Sequence, residues 1–362
     1  MFGGIKKIID RYNKYQVGQV QERYIKKSLN ALKEKKTLTK EQKQEIQEYY
    51  KRLIGKKISL TCHQYFYSRS GVYSKEYVPT YLYHTDIIGK ANMMSYRDAL
   101  ADKNMCDIIL PDVKHPKTFL KNRNGYYYID GEPVTKEEAV LRCQNIHNML
   151  IKPSLDKHGK GVKSLEVTDG ITNHDEATIE QVFDKYKKNF QIQERLKQHE
   201  RMSALNPTSV NTIRILSYRS GMEVLIVYAV VRIGRKGQVI DNQSAGGMSA
   251  NIDKAGKLEK YAYGGSVEDR IAMTDSGVEL EGYEIPAYNK VLETVKRLHF
   301  QMPFFDLVGW DMAVDEVGDP VILEWNANTG LSQSAFGPGL GEYTERIIKE
   351  LWPRQNNYNK NW

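Results

Sequence analysis

Long apolar runs are missing from this chain. No stretch approaches the ~20 consecutive apolar residues of a membrane-spanning helix, and the first residues lack the apolar core of a secretory signal, so a cytosolic protein is expected. Cysteine is scarce, with three among 362 residues. Cys62, Cys106 and Cys143 stand far apart with no CxxC or Cys/His spacing, which argues against a disulfide framework and against zinc and leaves them as reduced packing residues. GxxxxGK[ST] is absent too, so no P-loop is present. The aromatic-basic motifs of RNA-binding modules are lacking, and the lysines are strung along helices, which argues against a nucleic-acid partner. What is present is an excess of positive charge, +8 from 53 Lys+Arg against 45 Asp+Glu. Such a surface attracts anions, whether nucleotide phosphates, an acidic glycan or an anionic membrane face. The length predicts two or three subdomains.

The stretch Phe305 to Gly330, FDLVGWDMAVDEVGDPVILEWNANTG, carries the densest chemistry. Two apolar runs, Leu307 to Val314 and Pro320 to Trp325, flank a turn at Gly318-Asp319 and read as a β-hairpin. Side chains two apart share a face, so Glu324 and Asn326 project together, with Asp311 reaching them from the neighbouring strand. Three hard oxygen donors on a strand that otherwise wants burial suit Mg2+ beside a nucleotide. A polar rim at a sheet end is the plainer reading, but it leaves Glu324 unpaired on a half-buried strand.

From the N-terminus, residues 1–56 predict a helical hairpin or arm. Ile5, Ile8 and Ile9, then Tyr24, Ile25, Leu29 and Leu32 recur at helical spacing, and Thr39 with Gln42 forms a capping box for a second helix ending at Gly55. The opening segment is basic and amphipathic and suits either packing on its own domain or a membrane surface. Residues 57–110 are dense in tyrosine and β-prone, and predict a small α/β unit with a helix from Tyr96 to Cys106; Asp102 and Lys103 fall near a helix end. Asp130-Gly131 makes a hairpin, and Thr135 with Glu138 caps a helix to about His147. In MLIKPSLDKHGKGVKSLEV, Lys152 ends a strand, Gly159 and Gly161 make a flexible loop and Val162 to Val167 form the next strand. That loop lets backbone N–H groups approach phosphates beside a fixed lysine, though such loops are also common hairpin tips. The strand Phe190 to Gln193 breaks at Glu194, as a hinge would, with Glu194 placed for an adenine amine and His199 for ribose hydroxyls. Arg214 and Arg232 stand inside apolar strands, where a guanidinium needs an anion. Asn242 and Ser244 with Gly246 and Gly247 form a loop suited to an acceptor or a γ-phosphate. A helix from Tyr288 to His299 and another from Gly341 to Leu351 complete the chain.

This order of pieces resembles the ATP-grasp superfamily. More narrowly, SVNTIRI, DNQSAGGMSANID and GWDMAV…PVILEWN resemble its sugar-transfer-associated branch, from about Lys57 to the C-terminus. The resemblance implies an α+β fold with two lobes gripping ATP, lobe one over residues 111–192 and lobe two over 193–362, preceded by the 57–110 region and the helical arm. It makes Lys103 and Lys152 phosphate contacts, Gly159 and Gly161 the lid, Gln193, Glu194 and Leu196 the adenine hinge and His199 the ribose contact. Asp311, Glu324 and Asn326 become the ligands of Mg2+, two ions being implied, with Arg214 on the transferred phosphoryl group. The implied reaction is carboxylate–amine ligation through an acyl phosphate. Its implied partners are a sugar acid of a surface polysaccharide or its precursor and an amine or amino acid, with peripheral contact to membrane or polysaccharide machinery. A phosphotransferase on the same fold and a non-catalytic nucleotide-binding module are the competing readings.

Overall fold

The protein is described by a computed structural model covering residues 2–155, 161–235, 237–238, 241, 246–266 and 269–356, with side chains from residue 12 onward. Its centre is a pair of antiparallel seven-stranded sheets, with helices packed on them, so the architecture is α+β. The first sheet holds β1 (Thr118–Arg123), β2 (Tyr126–Ile129), β3 (Glu132–Val134), β4 (Ile146–Pro153), β5 (Lys163–Thr168), β6 (Ile171–Thr172) and β7 (Phe190–Glu194), in the spatial order β3-β2-β1-β7-β4-β5-β6. Asp130 and Gly131, both at positive φ, make the tight β2–β3 turn. The second sheet holds β8 (Thr212–Ser220), β9 (Glu223–Ile233), β10 (Met248–Ile252), β11 (Leu258–Tyr263), β12 (Arg270–Ile271), β13 (Leu307–Val314) and β14 (Pro320–Asn326), ordered β12-β11-β10-β9-β8-β13-β14.

Strand alternation decides what each face meets. In the first sheet Ile151, Leu165, Phe190 and Ile192 form one core with Val182 and Phe183 of the helix Ile179–Tyr186. In the second sheet Ile213, Ile215, Val231, Trp310, Met312 and Ile322 are buried with Val291, Val295 and Leu298 of the helix Tyr288–His299. On its opposite face Leu216, Tyr218, Tyr228, Val230 and Leu307 join a third core. That core is closed by the helices α2 (Lys40–Ile54), through Ile46, Tyr50 and Leu53, and Thr344–Leu351, through Ile347, Ile348 and Leu351. Further along this same face the residues turn polar, and there the candidate site lies.

The N-terminal helices form as their sequence predicts and pack on the rest of the chain. α1 (Phe2–Ala31) buries Ile25 and Leu29, joined by Leu32 just past its end, against Cys62, Tyr65, Phe66 and Tyr77. α2 begins at the reciprocal Thr39–Gln42 capping box and ends at left-handed Gly55, and Arg52 pairs with Glu345 at 2.6 Å. The β-prone reading of residues 57–110 is overturned. No strand occurs there among the described residues; the tyrosine-rich run folds as α3 (Thr61–Ser70) and a series of short helical turns. Burial explains the override, because Tyr65, Phe66, Tyr77 and Tyr83 are packed on helices rather than across a pleat. The expected helix from Tyr96 to Cys106 is instead split into short pieces, Arg97–Leu100, Lys103–Met105 and Cys106–Ile109. The helix capped by Thr135 stops at Arg142 and β4 starts at Ile146; the C-terminal helix starts at Thr344 rather than Gly341. All three cysteines are free and buried. Among the described residues no helix is long and apolar enough to cross a membrane.

One buried network ties the second sheet to its covering helix. Trp310 Nε1 donates to Ser217 Oγ at 2.7 Å, Ser217 Oγ lies 2.8 Å from His299 Nδ1, and His299 Nε2 lies 3.0 Å from the Phe305 carbonyl. The carbonyl can only accept, so Nε2 carries the proton, Nδ1 accepts from Ser217, and the ring is neutral. Burial pushes the His299 imidazole down to about 4, and likewise the buried His63. An unfolded histidine takes up a proton near pH 6.5, so the unfolded chain binds more protons between there and about pH 4, and stability falls as pH falls through that window. Each imidazole should cost about 2 kcal/mol between about pH 7 and about pH 5. Urea unfolding across that range checks it: His299→Gln should lower proton uptake on unfolding by about one, and an unchanged pH slope would refute the assignment.

Candidate functional site

Strand register builds the site. Asp311 in β13 lies directly opposite Arg214 in β8 and opposite Glu324 in β14, so the three side chains leave one face of three adjacent strands. The row extends outward through Thr212, opposite Arg232 of β9, and Arg232 in turn is opposite Ser249 of β10. Asn326, two residues from Glu324, stands opposite Gly309. That glycine has a steric reason, since a Cβ there would meet Thr329 Oγ1 at 2.5 Å. The space it leaves lets Thr329 Oγ1 accept from Arg214 Nη1 at 2.7 Å.

Arg214 grips Asp311 with a planar fork, Nε to Oδ1 at 2.5 Å and Nη2 to Oδ2 at 2.6 Å, and Arg232 Nη1 adds a contact of 3.2 Å to Oδ1. The paired side chains of Arg214 and Asp311 are only 8% and 5% exposed. Burial works against the charge on Arg214, but the attraction and hydrogen bonds of Asp311 raise its pKa above the ordinary value. Behind Arg232, Asp241 Oδ2 accepts from the Thr212 amide at 3.0 Å and from its hydroxyl. Burial pushes the Asp241 carboxyl up to about 6, against the pull of Arg232 and Thr212.

The lysines arrive from the other sheet. Lys152 is in β4, opposite Gln191 of β7, and the Lys103 segment is tied down there, its amide to the Ser154 carbonyl at 3.2 Å and Asn104 Nδ2 to the Asn122 carbonyl at 2.9 Å. Lys103 Nζ then reaches across to Glu324 Oε2 at 3.1 Å. Burial alone would raise the Glu324 pKa; Lys103, a hydrogen bond with Asp311 and Arg214 hold it well below the usual carboxylate range. Burial, then repulsion from Lys103, pushes Lys152 down to about 8 despite the attraction of Glu324. Gly161 shapes the same corner: at φ +77 a Cβ would meet Pro153 Cγ at 2.8 Å, and its carbonyl accepts from the Tyr186 hydroxyl at 2.6 Å.

A family model described as sugar-transfer associated ATP-grasp matches residues 82–349. The chain belongs to that family. No curated protein matches it. Among solved structures it is similar to the L-amino acid ligase from Bacillus licheniformis, with 11% identity over 73% of this chain and 50% of that one, and TM-score 0.39. The biotin carboxylase–βγ-ATP complex from Campylobacter jejuni gives 11%, 73%, 48% and 0.41. The D-alanine–D-alanine ligase from Bacillus anthracis complexed with ATP gives 15%, 70%, 66% and 0.38. The chain thus spans roughly half to two thirds of these structures' own lengths.

Seven of the residues expected to act in an ATP-grasp site converge here: Lys103, Lys152, Arg214, Arg232, Asp311, Glu324 and Asn326. Asp311 is an anion that meets both arginines. Gln193 and Glu194 end β7 as the hinge reading requires, but Glu194 pairs with Lys117 at 3.2 Å, and Gln193 Oε1 accepts from Gln191 Nε2 at 2.7 Å. Leu196 follows in the half-buried connection to the helix Glu200–Leu205. His199 is set apart from the cluster. Its Nδ1 caps that helix, accepting from the Arg201 amide at 3.2 Å, and it lines an open depression with Ser203, Pro207, Ser276 and Glu316. Gly246 and Gly247 lead into β10 and its Ser249. Gly159, Asn242 and Ser244 lie outside the described residues.

The sequence did not single out Thr212, Asp241, Gly309, Thr329 or Gln191, whose Oε1 is buried without a partner among the described residues. Only Gly309 carried a signal, a glycine interrupting an apolar strand. Among the described residues no group of three or more His, Cys, Asp or Glu could hold a metal. Two carboxylates and an amide still form a hard donor set. Asn326 Nδ2 faces Glu324 Oε1 at 3.4 Å, leaving its carbonyl oxygen for a cation. Such an incomplete shell suits Mg2+, which takes its remaining oxygens from phosphates and water.

The two carboxylates differ in what their loss should do. Asp311→Ala strands a buried guanidinium and should lower unfolding stability by about 3–5 kcal/mol. Glu324, 30% exposed at its side chain, should be replaceable by alanine with cooperative unfolding kept and ATP turnover lost. Denaturant unfolding of both variants, with turnover of the second, is the check; equal destabilisation would contradict it.

Proposed function

We propose that this ATP-grasp protein is an ATP- and Mg2+-dependent carboxylate–amine ligase. Its substrates would be a carboxylate sugar of a bacterial surface polysaccharide or its precursor, and an amine or amino acid. The observation that carries the reading is the Lys103–Glu324 contact. It brings the basic residues of one sheet onto the acidic row of the other, so that a triphosphate between them would meet Lys103 and Lys152 on one side and Arg232 on the other. The sugar-transfer description of the family supports the acceptor class.

In the first half-reaction a carboxylate oxygen attacks the γ-phosphorus of ATP, the bond to the β-phosphate oxygen breaks, and ADP leaves with its electron pair. In the second the amine nitrogen attacks the carbonyl carbon, inorganic phosphate departs, and the nitrogen sheds a proton as the amide forms. The chain's contribution is positioning and charge. Lys103 and Lys152 hold phosphate oxygens, Arg214 holds the acidic row rigid, and Arg232 orients the incoming carboxylate or the transferred group. Asp311, Glu324 and Asn326 would hold Mg2+, which supplies neutralisation of phosphate charge when bound. The acyl phosphate must be kept from water, a task that a lid over the cleft would serve.

Turnover of ATP with Mg2+ and a panel of carboxylates, with and without hydroxylamine, tests this. Phosphate release with a hydroxamate is expected for the correct carboxylate. A stable phosphorylated product without hydroxamate would make the protein a phosphotransferase, and no turnover with any carboxylate would leave it a nucleotide-binding module.

A further inference from the structure

We infer that the outward face of α1 is a docking surface for an anionic phospholipid membrane. α1 is 30 residues long, about 45 Å, and the protein covers only one side of it. The covered side carries Ile25 and Leu29. It also carries two polar anchors, Lys14 on Asp86 at 2.5 Å and Glu22 accepting from Thr61 Oγ1 at 2.6 Å and from Ser59. Away from them, Tyr12, Val20 and Tyr24 are 62%, 55% and 65% exposed, and Tyr15, at the edge of the covered side, is 60% exposed, large groups that a helix packed on its own domain would ordinarily turn inward.

The charges on this face choose the occupant. Interleaved with the tyrosines are exposed Arg23, Lys26 and Lys27, and from residue 12 to residue 31 the helix has a single acid, Glu22, which faces inward. A second copy of the chain laid on this face would press like charges together with no acid to meet them. An anionic bilayer matches both parts of the row: tyrosine rings sit at the headgroup level and basic side chains meet lipid phosphates.

The test is co-sedimentation of the full chain with phosphatidylcholine vesicles and with vesicles containing about 30% phosphatidylglycerol. At about 0.1 M salt at least ~10-fold more protein should sediment with the anionic vesicles, and about 1 M salt should release it, since the screening length falls from about 10 Å to about 3 Å. Tyr12→Ser with Tyr15→Ser, and separately Arg23→Glu with Lys26→Glu, should each lower binding several-fold. Because these residues are exposed, the thermal midpoint should stay unchanged. The inference is overturned by absence of binding to anionic vesicles, by equal binding to neutral ones, or by binding that both double variants retain. Concentration-dependent self-association abolished by the same variants, without vesicle binding, would overturn it in favour of a dimer interface.

Discussion

The buried fork between Arg214 and Asp311 is the constraint from which the site follows. A guanidinium and a carboxylate enclosed at this level are tolerable only as a pair with their remaining hydrogen bonds filled. Each neighbour can be understood as filling one. Thr329 takes the spare Nη1 proton, Gly309 leaves the room for Thr329, and Arg232 shares Oδ1. Arg232 is in turn faced by Asp241, which Thr212 holds through two hydrogen bonds. Three strands and two connecting loops are thereby fixed relative to one another by charge and hydrogen bonds, on a face whose other end is fixed by the packing of α2 and the helix Thr344–Leu351.

That division of labour explains why the polar row sits where the third core ends. Along β8 the residues on this face run from Thr212 and Arg214 to Leu216 and Tyr218. The same strand is therefore anchored by burial at one end and exposes chemistry at the other. Rigid placement of catalytic groups needs supporting elements that cannot shift, and a strand held by apolar packing half its length away is such a support. Lys103 completes the arrangement from outside the second sheet. It is carried on a short turn bound to the first sheet through Ser154 and Asn122, so its contact with Glu324 reports the relation between the two lobes.

Much of this was legible in the sequence where one strand sufficed. The hairpin Leu307–Asn326, the alternation joining Glu324 to Asn326, the strand position of Lys152 and the capping box at Thr39 are all local patterns, and each is present. The cost of an arginine in an apolar strand correctly demanded an anion for Arg214, yet which anion depended on register between β8 and β13, separated by nearly a hundred residues. Thr329 and Asp241 were invisible for the same reason, being ordinary loop residues until the sheet brings Arg214 and Thr212 to them. The tyrosines of residues 57–110 misled because β-propensity describes a fit to a half-buried pleated surface, whereas Tyr50, Phe66, Tyr77 and His63 pack together by edge and stacking contacts on helices.

The balance of charge at the junction indicates what the site is made to receive. Lys103, Lys152, Arg214 and Arg232 face Asp311, Glu324 and, behind Arg232, Asp241, four cations against three acids. Asp311 is fully matched by its two arginines and Glu324 by Lys103, which leaves Lys152 facing another ammonium from within a half-buried strand. Its depression to about 8 is the mark of a positive charge that burial and Lys103 disfavour more than Glu324 can restore. A group carrying several negative charges between the sheets would reverse that imbalance, return Lys152 toward its ordinary value and offset the repulsion between the lysines. A site arranged only for its own stability would have matched Lys152 with an acid or made it apolar. Among the described residues Lys152 instead stays underpaired beside carboxylates already held in register, so an anion entering the cleft would be drawn to it.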